Sequence, residues 1–580
     1  MAVAPARAGS SGLHLAVTSR GAKQCCVSDR NEHQTPPAAP LRDIVAALAS
    51  PSAYPHPAGE VEVVQTHVSY VLLAGDYAYK IKKPLDLGFL DYSTVEKRRT
   101  MCEEEVQLNR RLCSDVYLGV VPITQADSVY RVGGDAAPME YAVQMRRVPR
   151  ERMLNAMLER GEAMRRRAPH GAAAIVRRVA RAMAAFHARA ETDARIASFG
   201  RTESLRANWD ENFEQAAPFA GTLIAPQTLA SVRSYVERFL RENGALIEER
   251  ADAGRVRDCH GDLRSDAVYV REDGGICVMD CIEFNDRIRF GDVAGDIGFL
   301  AMDLESRGHR ELSDELMGAY LGDARDETLP LVLAHYKAYR AFVRGKVEAM
   351  RSAEAEVPED ARAASQTAAR RYFELAVSYA EAAPAQRLIY MVGLSGSGKT
   401  YLADALACRI GAVLLSSDVV RRGDGKEQRA KDKGTERTTD NRQQISDAAD
   451  GAGRYAEDER ERVYERMREL ARGHLALGRS VVLDATHIAR AEREAARALG
   501  RECGVPVMGV AVAADDDVVR ERIARRAEEG ASASEATWEI YVEQKRRMEA
   551  MGTDEGAVVR VDAGRGASTN LDAVVKAMAT

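Results

Sequence analysis

Residues 387–400 read RLIYMVGLSGSGKT. RLIYMV is a short apolar run with β-branched and aromatic members, which suits a buried strand. GLSGSGKT follows at once: Gly393, four residues, then Gly398-Lys399-Thr400, the spacing of a phosphate-binding loop. Gly393, Gly396 and Gly398 permit a tight backbone path that turns the amides around Ser395 and Ser397 inward, toward phosphate. Lys399 can reach outer phosphates as a point charge, and the Thr400 hydroxyl suits Mg²⁺. YLADALACRI then reads as a helix whose N-terminal dipole favours an anion.

Outward from this loop the pattern alternates. RLIYMV, AVLLSSD, SVVLDAT and VMGVAVA read as strands, each followed by a helical stretch, which predicts a parallel sheet with helices on both faces. Asp484 ends the apolar strand Val481–Leu483, where a carboxylate can hold the water shell of Mg²⁺. Asp418 ends the SSD strand at the same edge, where open α/β sheets gather ligands. It is a candidate to orient or deprotonate a substrate hydroxyl, or equally a cap for the next helix. Arg522 and Arg526 are four apart on one helical face, placed to clamp a transferring phosphoryl group or to form an exposed basic face. The polar insert of residues 421–460 reads as a solvated loop, with a lid over the nucleotide as the alternative. GLSGSGKT, SSDVVRR, VVLDATH and RERIARRA together resemble the small P-loop kinases, the group that includes gluconate kinase and polynucleotide 5′-kinase, over residues 386–580. That resemblance implies ATP and Mg²⁺ as cofactors.

The N-terminal half is built differently. Residues 1–40 are rich in Ala, Gly, Ser and Pro without periodicity and read as a disordered tail. From Glu60, strand-like runs with an Ala-Gly-Asp turn, a helix over residues 94–112 and further strands predict a small antiparallel lobe. Helices dominate from residue 151. Cys259-His260-Gly261-Asp262-Leu263 sits at a strand-to-loop junction, and Asp280 ends a second strand soon after. Two such carboxylates can divide phosphoryl transfer, one accepting the substrate proton and one holding Mg²⁺. Lys80 in a strand and Glu105 in the next helix suit the Lys–Glu pair that positions nucleotide phosphates. Lys82 could replace Lys80, and Glu103 or Glu104 could replace Glu105.

Over residues 41–350 these features resemble the aminoglycoside phosphotransferase-type, kinase-like family. The resemblance implies a bilobal protein-kinase-like fold, Asp262 as base, Asp280 as metal ligand, and a structural role for Asp292 and Asp296 in GDVAGD. One position departs from the family: Ala267 stands where a second metal-binding Asn is usual, with Asp266 beside it. The whole arrangement resembles bacterial fusions of a phosphotransferase-like domain with a P-loop kinase or ATPase domain.

The fold class expected is therefore mixed α/β and α+β in two domains. They are a kinase-like domain at 41–350 and a P-loop domain at 386–580, joined by a helical linker at 351–385. A net charge of −6 over 580 residues gives no overall basic field for nucleic acid, and no apolar run is long enough for a membrane span. Nine cysteines without a CxxC pair do not resemble a disulfide framework or a zinc site and point to a reducing cytoplasm. Three functions fit: an ATP-dependent phosphotransferase acting on a small hydroxylated molecule; a nucleotide-binding regulator with an N-terminal pseudokinase; and a nucleic-acid 5′-end kinase, which the acidic charge disfavours.

Overall fold

The computed structural model describes residues 41–86, 88, 90–161, 171–354, 357–381, 385–421, 448–529 and 537–579, without side chains for 448–458 and 526–529. The expected tail at 1–40, most of the polar insert and the Pro384 boundary lie outside the described residues.

The chain enters through helix α1 (Leu41–Leu48), which buries Leu41, Ile44, Val45 and Leu48 against the first sheet. That sheet is antiparallel and six-stranded: β1 (Val61–Gln65), β2 (Ser69–Ala74), β3 (Tyr77–Lys82), β4 (Tyr117–Ala126), β5 (Val129–Val132) and β6 (Pro138–Arg146), in the order β1-β2-β3-β6-β4-β5. Helix α2 (Val95–Asn109) lies against β4 and β6. It starts where Thr94 accepts a hydrogen bond from the Lys97 amide, a side-chain N-cap.

A helical lobe follows. Its main members are α3 (Ala172–Arg189), α4 (Thr202–Ala216), α5 (Pro226–Asp252), α6 (Val293–Ser306), α7 (Arg310–Ala324), α8 (Leu329–Ala353) and α9 (Glu359–Glu381). α9, in the stretch expected as a linker, packs along α8 and buries Tyr372, Phe373 and Ala376 there. Two short antiparallel ladders present the loops of interest: β7 (Val256–Asp258) with β10 (Phe290–Asp292), and β8 (Val268–Val270) with β9 (Ile276–Val278).

The last sheet is parallel: β11 (Leu388–Val392), β12 (Val413–Ser416), β13 (Val481–Asp484), β14 (Val507–Ala513) and β15 (Val558–Asp562), in the order β12-β13-β11-β14-β15. β15 is a fifth strand that the sequence reading missed. It is short, lies at the sheet edge and carries Arg560 and Asp562, so it lacks the apolar run of a buried strand. β11 is central and wholly buried, and its residues alternate between two cores. Leu388, Tyr390 and Val392 face α11 (Ala448–Ala476) and α12 (Arg490–Glu502), with Val463, Met467 and Leu499. Ile389 and Met391 face α10 (Lys399–Ile410) and, beyond two further helices, α13 (Asp516–Glu529) and α14 (Trp538–Arg547), the last helix α15 (Ala567–Met578).

That second core does not stop at α10. It runs on into α7 and α8, so Leu402, Ala403, Ala405 and Leu406 are buried between the sheet and the helical lobe. Burying a leucine of this kind stabilises by about 1.5–3 kcal/mol. Polar contacts fix the orientation. Arg409 pairs with Asp314, at 2.9 Å from Nε to Oδ1, and Tyr401 donates to Glu315 at 2.6 Å, which also pairs with Arg177. The helix that begins at the phosphate loop is thus also the docking surface for the kinase-like half.

Cys113 and Cys277 form a disulfide that ties the end of the α2 segment to β9, with Cα atoms 4.9 Å apart. This corrects the expectation of unpaired thiols: the partners are 164 residues apart, so no local spacing announced them. Cys102, Cys259, Cys281, Cys408 and Cys503 are free.

Candidate functional sites

The loop between β11 and α10 has the geometry of an anion nest. Gly396 and Gly398 have φ of +81° and +91°, the left-handed region. A Cβ at Gly396 would meet Val519 at 2.9 Å, and one at Gly398 would meet Arg522 at 3.0 Å, so both positions exclude side chains. Ser397 Oγ is buried and has no hydrogen-bond partner among the described residues. An orphaned hydroxyl inside a glycine-lined turn at a helix N-terminus fits a phosphate group.

Lys399 is buried, and its ammonium lies 2.9 Å from Asp484 Oδ1 at the end of β13. Burial lowers the lysine's pKa, but the Asp484 carboxylate more than offsets this, so Lys399 stays charged. Thr400 is half-buried next to it. Thr400 and Asp484 fit a Mg²⁺ ion: a hydroxyl and a carboxylate on adjacent elements at the phosphate nest. Asp418 lies in the helical turn after β12, 3.7 Å from Arg421, and its charge is felt by Lys399. Arg522 donates to the Ser397 carbonyl at 2.9 Å and the Ala563 carbonyl at 3.2 Å. Through these two carbonyls it ties the loop to the segment after β15. Arg526 lies on α13, but its side chain is outside those described. Gln544, unforeseen in the sequence, accepts a hydrogen bond from the Ser395 amide at 2.8 Å. It comes from α14, about 150 residues away, and nothing near it in sequence marks it.

The second site lies between the two lobes of the N-terminal half. Lys80 on β3 donates to Glu105 on α2 at 2.8 Å and to Asp280 at 2.8 Å, which brings three of the candidates together. Lys82 also pairs with Glu105, at 2.7 Å, and with Glu283, so both lysines share one glutamate. Glu103 is instead an outward partner of Arg99. Burial works against the charge of Lys80, but the Asp280, Glu105 and Glu283 carboxylates raise its pKa. The Lys80 ammonium in turn holds the Asp280 carboxyl down to about 2. Asp280 has φ +65°, a left-handed conformation unusual for an aspartate.

The His260–Asp262 loop is held by Asp296, which accepts from the His260 and Gly261 amides, each at 2.9 Å. Asp296 also meets His187 at 3.1 Å, and the other His187 nitrogen meets Tyr320 of α7 at 2.7 Å. Asp292 caps α6 through the Ala294 amide and pairs with Arg250. His260 Nε2 meets the Met279 carbonyl at 2.9 Å, a loop-orienting contact. Asp262 is engaged by Arg264, 3.3 Å away, which also pairs with Asp266 at 2.9 Å. Ala267 is buried and offers no ligand. Sequence spacing located Asp262 and Asp280 but could not show that Arg264 turns back onto Asp262.

Two family models match: the phosphotransferase enzyme family over residues 155–331 and an AAA domain over residues 388–551. An uncharacterized protein of Mycobacterium tuberculosis strain H37Rv is 32% identical over 480 residues, which cover 83% of this chain and 88% of the relative. The chain belongs to the same family. A counterpart in Mycobacterium bovis shows the same identity and coverage. Among solved structures, a choline/ethanolamine kinase family protein from Mesorhizobium loti aligns with 59% of this chain and 98% of its own, at 14% identity and a TM-score of 0.36. A gluconokinase from Sinorhizobium meliloti covers 34% of this chain and 93% of its own, at 16% identity and a TM-score of 0.24. The Mycobacterium tuberculosis APS kinase covers 34% and 99%, at 18% identity and a TM-score of 0.24. The family therefore combines a kinase-like phosphotransferase fold with a P-loop parallel sheet flanked by helices. No helix among the described residues is long and apolar enough to cross a membrane.

Proposed function

We propose that this protein is an ATP- and Mg²⁺-dependent phosphotransferase. In this reading the P-loop domain, residues 386–580, moves the γ-phosphate to a hydroxyl of a small molecule. The observation that carries it is the Lys399–Asp484 pair at the mouth of a glycine nest that holds an unpartnered Ser397 hydroxyl. In that scheme the loop amides around Ser395–Gly398 bind the phosphate tail, and Lys399 follows the transferring group. Bound Mg²⁺, held by Thr400 and Asp484, would draw charge off the phosphates. Asp418 orients the acceptor hydroxyl and takes its proton. Arg522 keeps the loop in shape, and Arg522 and Arg526 are the candidates for a clamp on the phosphoryl group.

For the N-terminal half, residues 41–350, a second reading has its own support. The Lys80, Glu105 and Asp280 set fits nucleotide binding, but Asp262 is paired with Arg264 at 3.3 Å, and Ala267 removes a metal ligand. A domain that binds nucleotide and regulates fits these facts better than one that turns over.

The test is a phosphorylation screen of the full chain with labelled ATP and pools of sugars, amino alcohols and 5′-hydroxyl oligonucleotides. Product lost in Lys399→Ala assigns the chemistry to the P-loop. Product that survives Lys399→Ala and vanishes in Asp262→Asn assigns it to the kinase-like half and overturns the proposal. Phosphorylated oligonucleotide as the main product would establish the end-kinase function instead.

A further inference from the structure

A small pocket lies where the helical lobe meets the P-loop sheet. Arg325, Asp326 and Glu327, from the turn between α7 and α8, form one wall, and Thr400, Asp404 and Ser416 line the other. Asp404 is only 4% exposed and receives no hydrogen bond from any described residue. It is four residues beyond Thr400 on α10, so the two side chains share one helix face a turn apart. Glu327 is also without a hydrogen bond or ion pair among the described residues. Asp326 is already satisfied, at 2.8 Å from Arg250. Arg325, the cationic side chain in the lining, is exposed; its charge is felt by Asp404, but it forms no close ion pair with Asp404 or Glu327 among the described residues.

A buried carboxyl without a partner is destabilising, so native proteins rarely leave one. Besides Arg325 and the paired Asp326, the polar groups that line the pocket are two carboxyls and two hydroxyls, all oxygen donors. Oxygen donors of this kind prefer hard cations, and carboxylates repel anions. The space admits a body about the size of a water molecule, which excludes a metabolite. Thr400 also belongs to the Mg²⁺ position of the phosphate loop, so the two positions are neighbours that share this hydroxyl, but Asp484, the carboxylate of that position, does not line the pocket.

We infer that this pocket binds one hard metal cation between the kinase-like half and the P-loop domain, with Asp404 as its principal ligand. A cation there would bridge α10 to the α7–α8 turn and strengthen docking of the two halves. The inference does not rest on the proposed phosphotransfer, because no nucleotide is needed to see it.

The experiment is thermal unfolding of the full chain without nucleotide, in KCl, NaCl and MgCl₂, each against choline chloride at matched ionic strength. One metal should raise the wild-type midpoint saturably, by about 1 °C at ten times its dissociation constant. The K⁺ and Mg²⁺ arms identify whether the ion is monovalent or divalent. Asp404→Asn is isosteric and should fold, as circular dichroism will verify, yet show no metal-specific rise. Asp484→Asn should keep the rise. No metal-specific rise in wild type, an equal rise in Asp404→Asn, or loss of the rise in Asp484→Asn alone would each overturn the inference.

Discussion

Lys399 Nζ and Asp484 Oδ1 are 2.9 Å apart, and both residues are buried. The strand carrying Asp484 is hydrogen-bonded to the strand that leads into the phosphate loop, so this pair is set by sheet register. In the proposed reaction, nucleotide phosphates would draw the ammonium away from this carboxylate, which would make Lys399 both latch and phosphate ligand. Lys399→Ala is expected to lower turnover by about 100-fold or more, the scale for removing one charge-stabilising group at a reacting centre. Steady-state kinetics with Mg·ATP checks this, and a change of less than about threefold would remove the lysine from the mechanism.

Gln544 occupies the Ser395 amide that a phosphate oxygen would need. The contact competes with nucleotide unless α14 swings aside. Gln544→Ala should therefore tighten Mg·ATP binding by about 2- to 5-fold, the equivalent of one neutral hydrogen bond. Calorimetry decides the sign. Weaker binding in the variant would make Gln544 a nucleotide ligand.

Arg409 and Asp314 form the buried ion pair between α10 and α7, both largely hidden from solvent. Removing one partner leaves the other charge buried, which costs about 3–5 kcal/mol. Arg409→Ala should thus separate unfolding of the P-loop domain from that of the helical lobe, giving two transitions where wild type gives one. Arg409→Met, which fills the space without a charge, should unfold like Arg409→Ala, since Asp314 keeps only the Ser568 hydroxyl, at 3.1 Å, and no cation. The double change Arg409→Met with Asp314→Leu should recover most of the lost stability. Differential scanning calorimetry of the three proteins tests this.

Much of this architecture was legible in the sequence because its signals are local. The GLSGSGKT run, the strand-ending Asp484 and the HGD loop each lie within a few residues of the element that positions them. Lys80 and Glu105 were readable as a strand–helix pair, though not the sharing of Glu105 with Lys82. What stayed hidden depends on distant partners. Gln544 reaches Ser395, Tyr401 reaches Glu315, and Cys113 reaches Cys277 only once the chain has folded. The burial of α10 on both faces was hidden too, since a P-loop helix packed on one side reads much the same. Asp404 is the clearest example: a polar residue in an amphipathic helix looks exposed until the helical lobe covers it.

His335 on α8 gives the fold an acid limit. Its ring is 1% exposed, stacks on Phe239 with centroids 4.0 Å apart, and accepts at Nε2 from the Trp209 indole N–H at 3.2 Å. An acceptor nitrogen carries no proton, so the folded ring is neutral, and burial pushes its pKa down from 6.5 to about 3. The unfolded chain takes up a proton near pH 6.5, while the folded chain resists until about 3. Stability is therefore complete above pH 6.5 and falls as the pH drops through that window, by at most about 1.4 kcal/mol per pH unit. At pH 5.5 the loss from this residue should be about 1.4 kcal/mol. His335→Gln keeps an acceptor for Trp209 but does not titrate, so its stability should be flatter between pH 7.5 and 5.5. Urea unfolding of both proteins at those two pH values makes the comparison. Equal pH dependence in the two would mean that His335 is protonated in the folded protein, with the Trp209 contact made differently.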